Sequence, residues 1–352
     1  MEQVTVAVIG CGSIARNAHL PSYAKNPRAK IKYVVDIKPE AAKEMAEQYN
    51  VPNVLTDYRD LLDDDEVEAI SICTPNYTHA PIAIDCLNAG KNVLCEKPAA
   101  INAELVEEMK KAADRNNKVL NIGVVNRFDS VVNKIKDMID AGELGNLYHI
   151  YCSFRSHRSI PGLGEWFTTK SMSGGGVLID WGVHFLDLIF YCISPEKILT
   201  VSSNAYSELA KNMREYVYES MWAGPPNYNG VYDVEEFVTG LIRTSGPTIS
   251  LNGAWAQNIN DPAMFIEFMG DKGGIKLQYG GDFTFYTTKD GKLYQEDSSV
   301  AHNDKFYDEL DSFLKSSIEN RKNRANVDNI LITAQVMDAI YKSAQLGREV
   351  VL

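Results

Sequence analysis

Short apolar runs alternate with helical patterns through the first 123 residues. Five of the runs lack the polar alternation of a half-exposed strand and are typical of a parallel sheet covered on both faces. They are VTVAVI, IKYVV, EAISI, KNVLC and VLNIGV. The stretches between them repeat apolar residues every three or four positions, and Asn102 and Gly90 are placed as helix caps. Residues 1–123 are therefore predicted to form a doubly wound α/β domain.

The pattern changes after Gly123. A predicted helix at 130–141 leads into a strand, LYHIYCSF, and a loop rich in Arg, Ser and Gly. Strand-like runs follow, joined by SGP, GDKGG and KDG, whose residue types suit hairpin turns. Two helices, near 303–320 and 327–346, close the chain. Residues 124–352 are therefore predicted to form an α+β domain with a mostly antiparallel sheet.

One helical pattern carries a polar pair. In GVLIDWGVHFLDL, residues 176–188, the apolar positions recur as in a buried helix, yet Asp180 and His184 stand four apart. That spacing places both side chains on one face. Because burying a carboxylate and an imidazole is costly without partners, this helix is expected to line a site, with Asp187 in a structural role.

Composition narrows the class of protein. A chain of 352 residues with 45% hydrophobic and 23% charged residues is typical of a globular protein with two domains. The net charge of −12 argues against nucleic acid as a partner. We expect no membrane span, because no stretch is read as coming close to the required length, and no secretory signal in MEQVTVAVIG. The six cysteines contain no CxxC pair, so we expect them reduced, in a cytoplasmic protein.

The stretch VAVIGCGSIA matches the GxGxxA motif of dinucleotide-binding Rossmann domains. Gly10 permits a tight turn, Gly12 lets the backbone approach a pyrophosphate, and Ala15 allows close packing of helix on sheet. Asp36 ends the next strand, where a carboxylate binds ribose hydroxyls and repels a 2′-phosphate. NAD is therefore favoured, although Lys38 keeps NADP open, and no metal is expected. Other cofactor contacts are expected from the neighbouring residues Ser13, Ile14 and Ile37.

Two further motifs follow later strands: ICTPNYTH and VLCEKPAA. Together with GCGSIA and GGGVLIDWGVH, they resemble the glucose-fructose oxidoreductase, inositol dehydrogenase and rhizopine-catabolism (Gfo/Idh/MocA) family of sugar oxidoreductases. The resemblance covers essentially the whole chain. It implies an N-terminal Rossmann domain and a C-terminal domain with a large open sheet that carries substrate and homo-oligomer contacts.

The resemblance also implies roles for particular residues. The catalytic set would be Lys97, Asp180 and His184, with a cis peptide bond between Lys97 and Pro98. Cofactor contacts would further include Thr74, Pro75, Asn76, His79, Glu96, Lys97 and Asn126. For His79 a purely structural role at the start of a helix stands beside the cofactor role. Substrate contacts would come from the catalytic set and from Arg127, Arg155, His157 and Trp166.

The chain departs from the family at two places. Phe167 follows Trp166 where relatives commonly have an arginine, which Lys170, Arg155 or Arg158 would have to replace. The aromatic segment, residues 206–232, carries five tyrosines and Trp222. Aromatic side chains serve equally in a subunit interface or a partly buried hairpin and as a platform for a sugar ring or an aromatic aglycone. The sequence alone leaves both readings open.

The predicted function is hydride transfer between NAD and a secondary hydroxyl of a sugar, glycoside or inositol, including C3 of O- or C-glucosides. His184 is the preferred general base because an imidazole titrates near neutral pH, and Lys97 is the competing candidate. One alternative is an NAD-dependent glycosidase that oxidises its substrate transiently and cleaves it by elimination. A second is an NAD-bound sugar sensor without catalysis.

Overall fold

A computed structural model describes residues 2–195 and 197–352 and divides them into two compact units. The first unit contains residues 1–128 together with 304–331, and the second contains 129–303 together with 332–352. The predicted domain boundary at residue 123 lies five residues before residue 128, where the chain leaves the first unit. The predicted assignment of everything after it to one domain differs from the structure, because residues 304–331 belong to the first unit.

The first unit is built on a six-stranded sheet in which all neighbouring strands are parallel, in the order β3-β2-β1-β4-β5-β6. This is the strand order of dinucleotide-binding doubly wound sheets. The strands are β1 Val4–Ile9, β2 Ala29–Val35, β3 Asn53–Leu55, β4 Ala69–Ile72, β5 Asn92–Glu96 and β6 Leu120–Gly123. The helices are α1 Leu20–Lys25, α2 Pro39–Tyr49, α3 Asn76–Asn88, α4 Ala103–Asn116 and, later in the chain, α8 Lys305–Glu319. The prediction of a doubly wound α/β fold is confirmed.

Helix α8 belongs to this unit because of what its apolar face packs against. Leu310, Phe313 and Leu314 are fully buried in the same hydrophobic cluster as β1 and α1. On a neighbouring face, Asp311 accepts hydrogen bonds from Asn26 at 2.9 Å and from Arg28 at 2.7 Å. The helix therefore completes the core of a unit whose other elements precede it by some two hundred residues.

The second unit contains a nine-stranded open sheet in the order β14-β13-β12-β11-β7-β10-β9-β8-β15. All its neighbouring strands are antiparallel except β7 and β10, which are parallel. Its strands are β7 Leu147–Arg155, β8 Ile198–Tyr206, β9 Phe237–Thr244, β10 Thr248–Ala254, β11 Ala263–Gly270, β12 Gly273–Gln278, β13 Phe283–Lys289, β14 Lys292–Asp297 and β15 Val350–Val351. Its helices are α5 Ser130–Asp140, α6 Lys170–Ser173, α7 Val183–Ile193 and α9 Leu331–Leu346. The predicted mostly antiparallel sheet is confirmed.

The helical segment Lys170–Ile193 lies in the core of the second unit. Contrary to the expectation that no stretch comes close, it is the one described helix long and apolar enough to cross a membrane. However, 72% of its most apolar window is buried inside the protein. Val177, Phe185 and Ile189 belong to the main hydrophobic cluster. We therefore interpret the segment as a core helix.

This segment is not one regular α-helix. Residues Leu178–Gly182 form a π-helical turn, and α7 begins only at Val183. The prediction of a regular helix through residues 176–188 is wrong at this point, because a five-residue turn breaks the 3.6-residue period. A second π-helical turn, Ala15–His19, precedes α1. Such turns are rare and occur frequently at functional sites.

Candidate active site

The glycine loop after β1 has the geometry that a phosphate cradle needs. Gly10 adopts φ +92°, and a Cβ there would lie 2.6 Å from the carbonyl oxygen of Cys73, so both its conformation and its contact exclude a side chain. Gly12 is different, because a Cβ there would meet no atom within 4 Å. Ala15 is fully buried. The loop thus leaves open space above Gly12, directly before a helix N-terminus, where a pyrophosphate binds in dinucleotide sites.

Asp36 follows β2 and is held by the backbone around it. Its Oδ2 accepts the N–H of Cys11 at 2.8 Å, and its Oδ1 accepts the N–H of Lys38 at 2.8 Å. These two bonds fix a partly exposed carboxylate beside the glycine loop, which fits the recognition of ribose hydroxyls. Ile37 next to it is 85% exposed. Burial, with the charge of Asp36, raises the pKa of the Cys11 thiol to about 12, which disfavours the thiolate form that a nucleophile needs.

His79 joins the loops that follow β4 and β5. The side chain is buried, with Nδ1 2.8 Å from the carbonyl oxygen of Pro98 and Nε2 2.8 Å from that of Thr74. Burial lowers the pKa of this imidazole. Because both ring nitrogens contact protein carbonyls, the structure favours the structural role of His79 over a direct cofactor contact. Asn76 begins α3, and the peptide bond between Lys97 and Pro98 is cis, as the resemblance implies.

Glu96 forms a buried pair with His19 that was not predicted from the sequence. The His19 Nε2 lies 2.8 Å from Glu96 Oε1, and the N–H of Lys97 donates to Oε2 at 3.1 Å. Burial by itself raises the pKa of Glu96, but the hydrogen bond and charge of His19 outweigh it and hold the pKa below its usual value. The pair therefore anchors the end of β5 from which Lys97 follows. The only sequence signal for His19 was its position just after the GxGxxA motif.

The Arg127 side chain forms hydrogen bonds within the first unit. Its guanidinium is buried and donates to the carbonyl oxygens of Arg324 at 2.8 Å and Asn329 at 3.0 Å. These contacts favour a structural role over the substrate contact expected from the resemblance. Asn126 is also buried, and its Oδ1 accepts a hydrogen bond from Lys305 at 3.3 Å. Local sequence around Arg127 gave no indication of partners two hundred residues away.

In the second unit, Asp180 lies on the π-helical turn. It is 9% exposed, and its Oδ2 accepts the indole N–H of the fully buried Trp255 at 3.3 Å. His184 lies on α7, half-buried, with its ring centroid 6.4 Å from that of Tyr279. Asp187 is buried and accepts a hydrogen bond from Thr333 at 3.4 Å. A carboxylate and an imidazole thus occupy one apolar helical segment, and Asp187 has the structural partner expected of it.

The loop after β7 runs beside Trp255. The backbone N–H of Ser159 donates to the Trp255 carbonyl at 2.9 Å, and that of Gln257 donates to the His157 carbonyl at 2.7 Å. His157 Nδ1 lies 2.7 Å from Glu219 Oε1. Backbone contacts therefore connect this loop to the residue whose indole holds Asp180, and the His157 side chain connects it to the aromatic segment.

The remaining predicted contacts have partners within the second unit. Arg155 donates to Ser153 at 3.0 Å, and Arg158 donates to Asn258 at 2.5 Å. Trp166 contacts Phe167 in a tilted arrangement, with 3.7 Å between ring centroids and 30° between the ring planes. The ring at 167, where relatives commonly have an arginine, is also in edge contact with Trp222 of the aromatic segment. Trp222 is 62% exposed, so this end of the segment presents an aromatic surface.

Among the described residues, no group of three or more His, Cys, Asp or Glu side chains is arranged to hold a metal ion. The six cysteines are all free and buried.

The chain belongs to the GFO/IDH/MocA family. The family model described as "Oxidoreductase family, NAD-binding Rossmann fold" matches residues 4–124, and the GFO/IDH/MocA C-terminal domain model matches residues 132–276. The family resemblance and the sugar or polyol dehydrogenase class that it implied are thereby confirmed. The protein is an enzyme of this class, acting on CH–OH groups with a nicotinamide cofactor.

Individual relatives extend over most of the chain. D-glucoside 3-dehydrogenase of Escherichia coli (strain K12) is 28% identical over 352 residues, covering 99% of this chain and 97% of the relative. Levoglucosan dehydrogenase of Pseudarthrobacter phenanthrenivorans is 30% identical over 291 residues, covering 79% and 74%. A solved levoglucosan dehydrogenase in complex with NADH superposes with a TM-score of 0.86 at 22% identity, covering 99% of both chains. That structure shares the fold of this chain.

Proposed function

We propose that this enzyme oxidises the C3 hydroxyl of a D-glucoside, with NAD as the hydride acceptor. The observation that carries the proposal is the near full-length similarity to D-glucoside 3-dehydrogenase of Escherichia coli. The polar pair supports it, because Asp180 and His184 occupy a mostly apolar core helix. Together they supply a proton acceptor and a group that binds hydroxyls, both of which the oxidation of an alcohol needs.

The residues of the glycine loop fit NAD. The pyrophosphate would lie in the open space at Gly12, beside the helical residues Ser13 and Ile14, and the Asp36 carboxylate would bind the adenosine ribose. Bound NAD accepts a hydride at the nicotinamide ring. Because the Asp36 carboxylate is held in place by two backbone bonds, it is expected to repel a 2′-phosphate, so NAD is preferred to NADP.

The chain's own residues supply the rest of the chemistry. We assign His184 as the base that removes the hydroxyl proton, since an imidazole is suited to proton transfer near neutral pH. Asp180, oriented by Trp255, would hold neighbouring sugar hydroxyls. Lys97, whose backbone is fixed by Glu96, would bind the reacting oxygen and stabilise its negative charge. Lys97 as the base is the competing assignment.

The direct test of the substrate is a panel of methyl and aryl D-glucosides, C-glucosides, free hexoses and inositols, assayed with NAD and NADP in parallel. NADH formation with glucosides, and a 3-keto product identified by NMR, are expected. Turnover of inositols alone, or of NADP in preference to NAD, would contradict the proposal.

Aryl and methyl glucosides also test the aromatic segment. If the Trp222 ring stacks on the aglycone, removing this ring by substitution should raise KM only for the aryl compounds.

The same panel separates the two rival functions. An NAD-dependent glycosidase releases the aglycone without net formation of NADH, whereas a dehydrogenase accumulates NADH and keeps the glycosidic bond. A sensor binds the glucoside in calorimetry but yields neither product. The nicotinamide absorbance and the released aglycone, measured on one sample, therefore distinguish all three.

We also propose that the enzyme is a cytoplasmic homo-oligomer that assembles through the open sheet. Alternate residues of β7, such as Ile150 and Cys152, are buried in the core, so Tyr151 lies on the opposite face. There it meets Phe265 of β11 at 5.5 Å between ring centroids, and both remain partly exposed. If a second copy covers this face, Tyr151→Asp should shift the mass measured by light scattering to that of the monomer.

A further inference from the structure

The helix that carries Asp180 and His184 begins after the three glycines at 174–176, and one distant residue caps it there. The first backbone N–H groups of a helix have no partner within it and need an external acceptor. Here the Glu235 carboxylate accepts those of Gly176 and Leu178, both at 3.0 Å. The Glu235 carbonyl oxygen accepts the N–H between them, that of Val177, at 3.1 Å. One residue thus satisfies three successive donors.

The same contacts explain the run of three glycines. A Cβ on Gly176 would lie 1.9 Å from the Glu235 carbonyl oxygen, and a Cβ on Gly175 would lie 1.9 Å from Oη of Tyr341. Gly174 adopts φ +87°. Tyr341 in turn donates its hydroxyl to Glu235 Oε1 at 2.9 Å. The glycines are therefore needed to admit Glu235 and Tyr341 to the helix end, a role that their place in the GGGVLIDWGVH motif did not reveal.

The buried position of the Glu235 carboxyl group costs folding free energy. It is 7% exposed, and burial raises the pKa of its carboxyl. Tyr341 is partly buried, and burial together with the neighbouring carboxylate raises its pKa well above the usual value. A neutral serine or asparagine is sufficient to cap an ordinary helix. The buried carboxylate gives charge-assisted bonds instead, which are stronger and more directional.

We propose that Glu235, supported by Tyr341, is a positioning residue that fixes where the π-helical turn begins and thereby orients Asp180 and His184. Leu178, which donates to the Glu235 carboxylate, is the first residue of that turn. Asp180 follows two residues later, and its N–H donates to the Gly176 carbonyl at 3.1 Å. Without the carboxylate, the first turn of the helix loses the acceptors that define its register. The effect on turnover rests on the proposed function, but the effect on the helix does not.

The test compares two neighbouring buried glutamates. Glu235→Gln removes the charge and one acceptor at the helix end. Glu236→Gln is the matched control, because Glu236 is also buried but accepts the N–H of Leu209 at 2.8 Å and the hydroxyl of Tyr232 at 2.7 Å. Both variants are expected to lower Tm. Gly176→Ala disturbs the cap from the helix side with the carboxylate intact, and Tyr341→Phe is a milder change if Glu235→Gln fails to fold.

The first measurement is the imidazole spectrum of ¹⁵N-histidine-labelled protein across pH, with His184 assigned by His184→Asn. We expect Glu235→Gln and Gly176→Ala to move the His184 signals and their titration midpoint, and Glu236→Gln to leave both in place. The second is steady-state kinetics with methyl β-D-glucoside. A misplacement of the order of an ångström costs up to about 100-fold, so kcat should fall about 10- to 100-fold while Kd for NAD stays within about twofold.

Wild-type His184 titration and wild-type kcat in a folded Glu235→Gln variant would overturn the proposal, because Glu235 would then only stabilise the fold. Equal changes in Glu235→Gln and Glu236→Gln would overturn it as well. If the His184 signals move as expected but the wild-type enzyme turns over no glucoside, the positioning role stands and the proposed substrate is wrong.

Discussion

The two glycines of the phosphate cradle should respond oppositely to the same substitution. Gly12→Ala adds a methyl group where no atom lies within 4 Å, at a backbone conformation outside the left-handed region. Because alanine reduces the entropy of the unfolded chain, this variant should be as stable as wild type or more stable by up to about 1 kcal/mol. The added methyl group would, however, occupy the space of the pyrophosphate. An overpacking cost of about 1–3 kcal/mol corresponds to a Kd for NAD weakened roughly 5- to 150-fold.

Gly10→Ala is the matched contrast. Its left-handed φ of +92° costs a non-glycine residue about 1–3 kcal/mol. The contact of 2.6 Å between the new Cβ and the Cys73 carbonyl oxygen adds about 1–3 kcal/mol of overpacking. Urea denaturation should therefore show a loss of about 2–6 kcal/mol, the sum of the two costs. Calorimetry with NAD should be run on both variants below their transitions. Unchanged NAD affinity in Gly12→Ala, or wild-type stability in Gly10→Ala, would refute the reasoning.

Three further substitutions test the buried polar contacts. Glu96→Gln should lower the free energy of unfolding at neutral pH by about 1–3 kcal/mol. This deficit should shrink as pH falls below 4.5, because the pKa of Glu96 is held below its ordinary 4.5. Urea midpoints at several pH values would show the change. Arg127→Ala should lower Tm but leave KM for glucoside unchanged, since its guanidinium binds backbone carbonyls, and a raised KM in steady-state kinetics would show a substrate contact instead. Trp255→Phe should lower kcat more than it raises KM, because Asp180 loses the indole N–H that donates to it. An unchanged kcat would show that this hydrogen bond does not orient Asp180.

Much of the fold could be predicted from local periodicity. The apolar runs VTVAVI and KNVLC became central parallel strands, and Asn102 caps α4 by accepting the N–H of Leu105 as its position indicated. Gly90 has the left-handed φ of +77° expected just after a helix. The three-residue strand β3 and the two-residue β15 were missed, because they are too short to show a period. The nine-residue β8 was missed as well.

The features that were not predicted depend on contacts between residues far apart in the sequence, which a local pattern does not reveal. The amphipathic period of α8 predicts a helix but not the sheet on which it packs, so its place in the first unit was missed. The three glycines were interpreted from their neighbours in sequence, whereas Gly176 makes room for Glu235 and Gly175 makes room for Tyr341, both far along the chain. Likewise the His19 pair with Glu96 joins residues 77 positions apart. The residue types were visible in the sequence, but their partners were not.

The central claim is that Lys97, Asp180 and His184 act together in one oxidation with NAD. The most direct measurement is the rate of NADH formation from methyl β-D-glucoside by the wild type, Lys97→Ala and His184→Ala. The account predicts steady NADH production by the wild type and a loss of about 100-fold or more in kcat for each variant, with NAD still bound. A wild type that forms NADH while both variants retain its turnover would contradict the assignment of the active site.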